Sequence, residues 1–431
     1  MFLLLFGAAQ AGVLPTEVQV HELSNGLTVY LAPMDTPGVV AWQTWMEVGV
    51  RNETAESRGY AHLQTRLLDN GSETLGQEQY EEQILLTGAE ESSWSWLDNS
   101  VFHITVPSEH LPTVIMLEAN RFLHLDWDDA DLELAAGGIQ GSHNMQAANP
   151  VERLTQEVFG TAFSSHPYGW PALGYAEDIG NHPKEGKDIR AFYDTWYRPS
   201  TTRIVVAGDF DVEATLTQIQ LSYGVWPEPK TAAPPLAIEP EQTETRRTDT
   251  GWTEGAVSPR LMMGWKIPGF DPEDKDSAAI QVVQDLLFSE VADLRGDLVD
   301  TRSLIYGMEG GSYRFADAQL FMLDLEVKHK DDLKVVEKAV LEALGVLSTG
   351  VQEEQLLLVR GHALAEYRLG LDNPYAVADT IGRFTYGGRG PEVIDTFFRN
   401  YAEVTAEDVA RVVQTWFRPE GLTVGTLIGA E

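Results

Sequence analysis

Read for polarity alone, the chain alternates between two patterns. Some runs have apolar residues at every second position, and in longer stretches they return every three or four positions. These are the signatures of half-buried strands and amphipathic helices. Residues 87–107 and 306–327 each hold two alternating runs with a short polar link, so each predicts a hairpin. Residues 202–207 and 422–427 are compact apolar strands, one closing each half of the chain. In both halves an alternating strand leads into an amphipathic helix, further strands follow, then helices, then the closing strand. Direct strand-to-strand hairpins do not suit a pure βαβ series. The predicted fold class is therefore α+β, with helices packed on a largely antiparallel sheet.

The two halves repeat one another. Thr195-Trp196-Tyr197-Arg198-Pro199 recurs as Thr415-Trp416-Phe417-Arg418-Pro419, Trp45 and Gly49 find Trp265 and Gly269, and Val101-Phe102 matches Leu320-Phe321. A period this long excludes a solenoid of short repeats and means that one whole domain is duplicated. Between the copies, residues 226–259 are rich in Pro, Thr and Glu and read as a linker, part of which adds a strand to the second half. The predicted organisation is a signal peptide and leader over 1–14, an N-terminal lobe over 15–228, a linker over 229–258 and a C-terminal lobe over 259–431. The two lobes should face one another across a cleft, a favoured place for a ligand.

Composition narrows the function. With 66 acidic against 30 basic side chains the formal charge is −36, which repels nucleic acid and anionic membrane surfaces. A hydrophobic fraction of 43% is enough for a packed core and excludes disorder as the main state. Cysteine is absent, which removes disulfides, thiol catalysis and Cys-rich zinc modules. No run approaches the roughly 20 apolar residues of a membrane-spanning helix. The start, MFLLLF followed by Ala9-Gln10-Ala11, has the apolar core and A-x-A site of an export signal but no basic n-region, so the expectation is an exported, periplasmic protein. The alternative for this segment is a buried first strand.

The most informative stretch is 48–74, VGVRNETAESRGYAHLQTRLLDNGSET. Glu53, Ala61-His62-Leu63 and Asn70-Gly71-Ser72 within it are joined downstream by Asn149-Pro150, His166-Pro167-Tyr168-Gly169, Gly174 with Glu177-Asp178-Ile179, and VVAGDFD over 205–211. Together these resemble the insulinase/pitrilysin zinc peptidase family (inverzincins, mitochondrial-processing-peptidase-like), and the likeness covers nearly the whole mature chain. The resemblance implies two homologous lobes closing like a clam. It also implies a zinc held by H-x-x-E-H on one helix and by a glutamate on a later one.

In that motif the histidines at i and i+4 share a helix face and reach one zinc, while the glutamate acts as general base on zinc-bound water. Here the five positions read His62-Leu63-Gln64-Thr65-Arg66. Threonine cannot take a proton from water near neutral pH, and arginine is a permanent cation that repels Zn²⁺. The resemblance places the third ligand seven residues before the asparagine of Asn149-Pro150, which is Ser142, next to a helical stretch reading AAGGIQ over 135–140. The base and two of three ligands are missing, so no cofactor is predicted. The remaining metal candidates are His62 and, after a one-residue slip, His143. The structural reading of His62 is a hydrogen-bonded helix histidine at the cavity wall.

The resemblance also implies an Arg and a Tyr, seven residues apart in the second lobe, that hold the substrate backbone. Tyr306 matches the tyrosine, but the arginine position is Val299, with Arg302 three residues on. Residues 92–98, SSWSWLD, align with the family's substrate-docking edge strand, where a peptide adds through backbone hydrogen bonds. Trp94 and Trp96 should share one face of it, as core or as an aromatic contact for a peptide. The acidic run 126–133 lacks the glycine and terminal glutamate of a calcium loop and reads as a solvated helix start. His21, His103 and His362 stand isolated.

These readings give a non-catalytic subunit of a zinc peptidase, forming a hetero-oligomer with a zinc-bearing homologue and helping to bind peptides or unfolded segments. By itself it is not expected to be an enzyme. The alternatives are a stand-alone peptide-binding or scaffold protein with the peptidase fold, or a peptidase with a metal site rebuilt from His62 and His143.

Overall fold

The computed structural model describes residues 12–69, 71–230 and 232–429. The apolar core and cleavage pattern of the expected export signal, and the Asn70 of Asn70-Gly71-Ser72, lie outside the described residues.

The first lobe contributes β1 Gln19–Glu22, β2 Thr28–Pro33, β3 Val39–Met46, a minor pair β4 Gly71–Ser72 and β5 Leu75–Gly76, then β6 Glu90–Ser95, β7 Ser100–Pro107 and β8 Thr202–Gly208. Its main sheet has the order β1-β2-β8-β3-β7-β6, antiparallel throughout except between β2 and β8. The second lobe contributes β9 Arg246–Trp252, β10 Arg260–Ile267, β11 Ile305–Ser312, β12 Gln319–Val327 and β13 Leu422–Gly429. Their order is β11-β12-β10-β13-β9, with β9 and β13 as the one parallel pair. Helices cover both sheets, so the class is α+β with largely antiparallel sheets, as the hairpins predicted. The strand lent by the linker is β9.

Central strands such as β8 (TRIVVAG) are buried at every position, because both faces of the sheet are covered. One face of the first sheet packs on its own lobe's helices, through Val29, Trp42, Phe102 and Val206 among others. The other face receives a helix from the second lobe. Pro374–Phe384 lies over β3 and β8, and its Val377, Ile381 and Phe384 share a core with Tyr30, Trp45 and Val205. The exchange is reciprocal. Helix Pro150–Ala162 of the first lobe lies on β9, β10 and β13, its Leu154 and Val158 buried with Met262, Leu320 and Leu427. The two helices are repeat-equivalent, and each starts on Asn-Pro. The Asn149 side chain accepts from Val151 N at 3.0 Å, and that of Asn373 accepts from Ala376 N at 3.0 Å; in each case the proline at the first helical position has no N–H to satisfy.

Burying three such side chains stabilises the assembly by about 5–9 kcal/mol as an upper estimate, similar to the whole net stability of a domain. The lobes therefore form one folding unit. The repeated glycines also find a reason. A Cβ on Gly49 would lie 2.4 Å from the Trp96 carbonyl, and one on Gly269 would lie 2.1 Å from that of Ala316. Each glycine lets the chain run hard against a hairpin of its own lobe.

Candidate functional site

A chamber of about 670 Å³ lies between the lobes. The first lobe supplies His62, Trp96, the inner face of Pro150–Ala162 and the 168–173 segment, and the second supplies Glu309 to Tyr313 at the end of β11. His62 rides on helix Tyr60–Asp69, whose start is fixed by Glu53. Its buried carboxylate accepts from Gly59 N and Ala61 N, both at 3.0 Å, and burial pushes the carboxyl up to about 8. Gly59 has φ +82°, and a Cβ there would meet the Leu173 carbonyl at 2.5 Å. Only glycine lets the helix start approach the chamber wall this closely. Glu53 thus anchors a helix and lies away from the chamber lining.

Thr65 is buried and its hydroxyl donates to the His62 carbonyl at 2.6 Å. Arg66 is exposed. The His62 ring does reach the chamber, but the expected hydrogen bond is absent: both ring nitrogens are buried without a partner among the described residues. Burial, then the positive charge of Arg66, lowers its pKa to about 4; the Ser95 backbone, outside hydrogen-bond geometry, offsets this in part. The imidazole is neutral at physiological pH.

Helix Asp129–Ala147, which would carry the third ligand, packs against the His62 helix. Its Ser142 hydroxyl donates to the Gly138 carbonyl at 3.3 Å, and His143 is half-buried with Nδ1 unpartnered. Neither lines the chamber. Among the described residues no three His, Asp or Glu side chains are grouped to hold a metal ion. One imidazole beside a hydroxyl and a guanidinium does not fit a catalytic zinc, which takes three protein ligands and a water.

The other sequence candidates separate. Trp94 meets the Trp45 ring edge-on at 5.7 Å beneath the Arg383 guanidinium, a packing position between the lobes. Trp96 lines the chamber, edge-to-face with Tyr313 at 4.9 Å and Phe315 at 5.0 Å. Beside it β6 is the free edge of the sheet. Tyr306 and Arg302 do not reach the chamber lining. The β11–β12 register shifts between Ile305 and Gly307, so Tyr306 sits at a bulge, which re-aims a side chain. It is 61% exposed, with the Lys328 ammonium over its ring. Arg302 pairs with Asp297 at the surface, while Val299 packs on the core. The second-lobe aromatic that does face the chamber is Tyr313, which the alternation of residues 306–327 left unmarked because it falls in the hairpin link.

The His166-Pro167-Tyr168-Gly169 turn joins the lobes. His166 Nδ1 accepts from Tyr168 N at 3.2 Å and Nε2 meets Asp317 at 3.1 Å. Arg51 clamps the same Asp317 and donates to Tyr386 at 2.8 Å. Burial would raise the Asp317 carboxyl, but hydrogen bonds from His166 and Arg51 hold it well below the usual range. Tyr168 donates to Asp98, which also accepts from Ala316 N at 2.6 Å. No helix among the described residues is long and apolar enough to cross a membrane.

Comparison with known proteins follows the same lines. A family profile described as Insulinase (Peptidase family M16) matches residues 32–175, and one described as Peptidase M16 inactive domain matches residues 185–360. Zinc protease PqqE of Helicobacter pylori is 22% identical over 407 residues, 92% of this chain and 90% of that protein. The probable mitochondrial-processing peptidase subunit beta of Arabidopsis thaliana is 22% identical over 426 residues, 95% of this chain and 78% of that protein. The crystal structure of a protease from Helicobacter pylori superposes with a TM-score of 0.90 at 20% identity, covering 96% of this chain and 99% of that one. The periplasmic protease PqqL from Escherichia coli superposes with a TM-score of 0.78 at 16% identity, covering 96% of this chain but 48% of that one. With both lobes matched in order and the whole two-sheet fold shared, the chain belongs to the insulinase/pitrilysin family of peptidases.

Proposed function

We propose that this protein is a non-catalytic member of its family: an exported subunit that pairs with a zinc-bearing homologue and contributes a peptide-binding wall. The observation that carries this is the contrast within one pair of helices. The scaffold is intact and His62 still faces the chamber, yet Thr65, Arg66 and Ser142 occupy the base and ligand positions. A neutral histidine alone cannot activate water at a metal. The chamber keeps features that suit an extended peptide: a free sheet edge at β6, aromatic walls, and the carboxylates of Glu152 and Glu309. Pairing is supported by PqqL, where a segment about as long again accompanies the part this chain matches. In the test, the purified protein leaves a casein-like substrate intact, and adding the zinc-bearing homologue of its own host raises that enzyme's activity. Chelator-sensitive hydrolysis by the lone protein, free of contaminants, would overturn the proposal.

The second reading, a peptide-binding protein without a peptidase partner, rests on the same open edge. Affinity capture from the host separates the two: a zinc-bearing family member in the bound fraction favours the subunit, and peptides alone favour the binding protein.

A further inference from the structure

Two consecutive side chains in the β11–β12 link, Tyr313 and Arg314, face two different cavities. Tyr313 lines the interlobe chamber, stacked on Phe315 with both rings against Trp96. Arg314, between them, lines a separate cavity of about 500 Å³ in the second lobe. Helices Lys275–Phe288, Glu353–Gly370, Pro374–Phe384 and Glu392–Ala402 form its walls, and it opens to solvent. The Arg314 backbone is left-handed, with φ +62°, a conformation that disfavours a side chain and clusters where function maintains it.

The guanidinium lies among the rings of Phe270, Phe384 and Phe397, at 5.4, 4.8 and 5.6 Å. It has no hydrogen-bond acceptor and no carboxylate at ion-pair distance among the described residues. Its five N–H donors thus open onto a cavity lined also by Asp285, Glu366 and Asp379, with no acceptor among the described residues to occupy them, and are available to an acceptor on a ligand. The cavity's own carboxylates are mostly engaged. Asp285 accepts from Tyr401 at 2.5 Å and Gln281 at 3.3 Å, and Asp379 from Arg383 at 2.6 Å. Among the described residues Glu366 meets only His362, on its own helix, at 3.3 Å.

A simple anion would be repelled by these three acids, and a simple cation by Arg314. We infer that this cavity binds a small zwitterion, its carboxylate on the fork of Arg314 and its ammonium beside Glu366: a free amino acid or a short peptide. A planar guanidinium takes a carboxylate with two parallel hydrogen bonds, and the volume suits a ligand of that size.

Calorimetric titration of the full chain with alanine, dialanine, N-acetyl-dialanine and dialanine amide tests this. Alanine or dialanine should saturate one site, and the tighter of the two names the source. Capping either charge should weaken binding about tenfold or more, the loss of one charge-assisted contact. Arg314→Gln should abolish binding and Arg314→Lys weaken it with the fold intact by circular dichroism. Glu366→Gln should weaken only ligands with a free ammonium, and Tyr306→Phe, exposed and outside both cavities, should change nothing. Absence of saturable binding, equal binding of the capped peptides, or full affinity in Arg314→Gln would overturn the assignment.

Discussion

His62 shows how much one residue's surroundings decide. The sequence placed a lone histidine beside a broken motif, and that much was legible. Its isolation was not, because hydrogen-bond partners come from segments far away in the chain. A pKa lowered from 6.5 to about 4 by burial and by Arg66 has a definite consequence. The native state holds His62 neutral while the unfolded chain protonates it near pH 6.5. Its contribution is complete above that value and is lost as pH falls from about 6.5 to 4. The thermal midpoints of the wild type and His62→Gln should therefore keep a constant separation above pH 6.5 and shift in favour of the variant on acidification to pH 4; parallel curves would contradict this. Tyr306 gives the opposite lesson. The family resemblance pointed to it, but a bulge, invisible in the sequence, carries it to the surface.

At the scale of elements, the sequence read well wherever local chemistry decides. Both hairpins lie where alternation put them. The acidic run is a helix start: Asp128 accepts from Ala130 N at 2.8 Å and Asp131 N at 3.0 Å. What went unread was the Asn373-Pro374 copy of Asn149-Pro150, because two residues carry little signal without the helix that follows. Helix Asp129–Ala147 also carries a testable feature. Gly137 and Gly138 are exposed, and an added Cβ would meet nothing within 4 Å. Alanine at either should stabilise the protein by about 0.5–1 kcal/mol, read as a higher urea midpoint. This helix and the His62 helix together define a rebuilding experiment. Thr65→Glu with Arg66→His restores the base and a second ligand beside His62, and adding Ser142→Glu supplies the third ligand. Zinc affinity should rise sharply only in the triple variant, since catalytic zinc takes three protein donors.

For the whole molecule, the duplication was visible in repeated Trp, Gly and Arg-Pro positions, but the crossing of one helix from each lobe onto the other's sheet was not. Nothing in a helix's own amphipathic pattern names the surface it will cover. The exchange makes the lobes interdependent and concentrates sensitivity at two points. A Cβ on Gly382 would lie 2.1 Å from the Trp45 ring, and one on Gly425 2.4 Å from Val158. Alanine at either should cost about 1–3 kcal/mol through overpacking. Residues 15–228 expressed alone should fail to fold, because one sheet face and one helix lose their partners. A cooperative native-like transition in that fragment would contradict the reciprocal core.

The central claim, that the scaffold has kept its chamber but lost its metal chemistry, is tested most directly by zinc stoichiometry. The full-length protein, stripped of metal and dialysed against micromolar zinc, should retain well under one ion per chain, and His62→Gln should not change that value. One tightly held zinc per chain, lost on substitution of His62, would contradict the account.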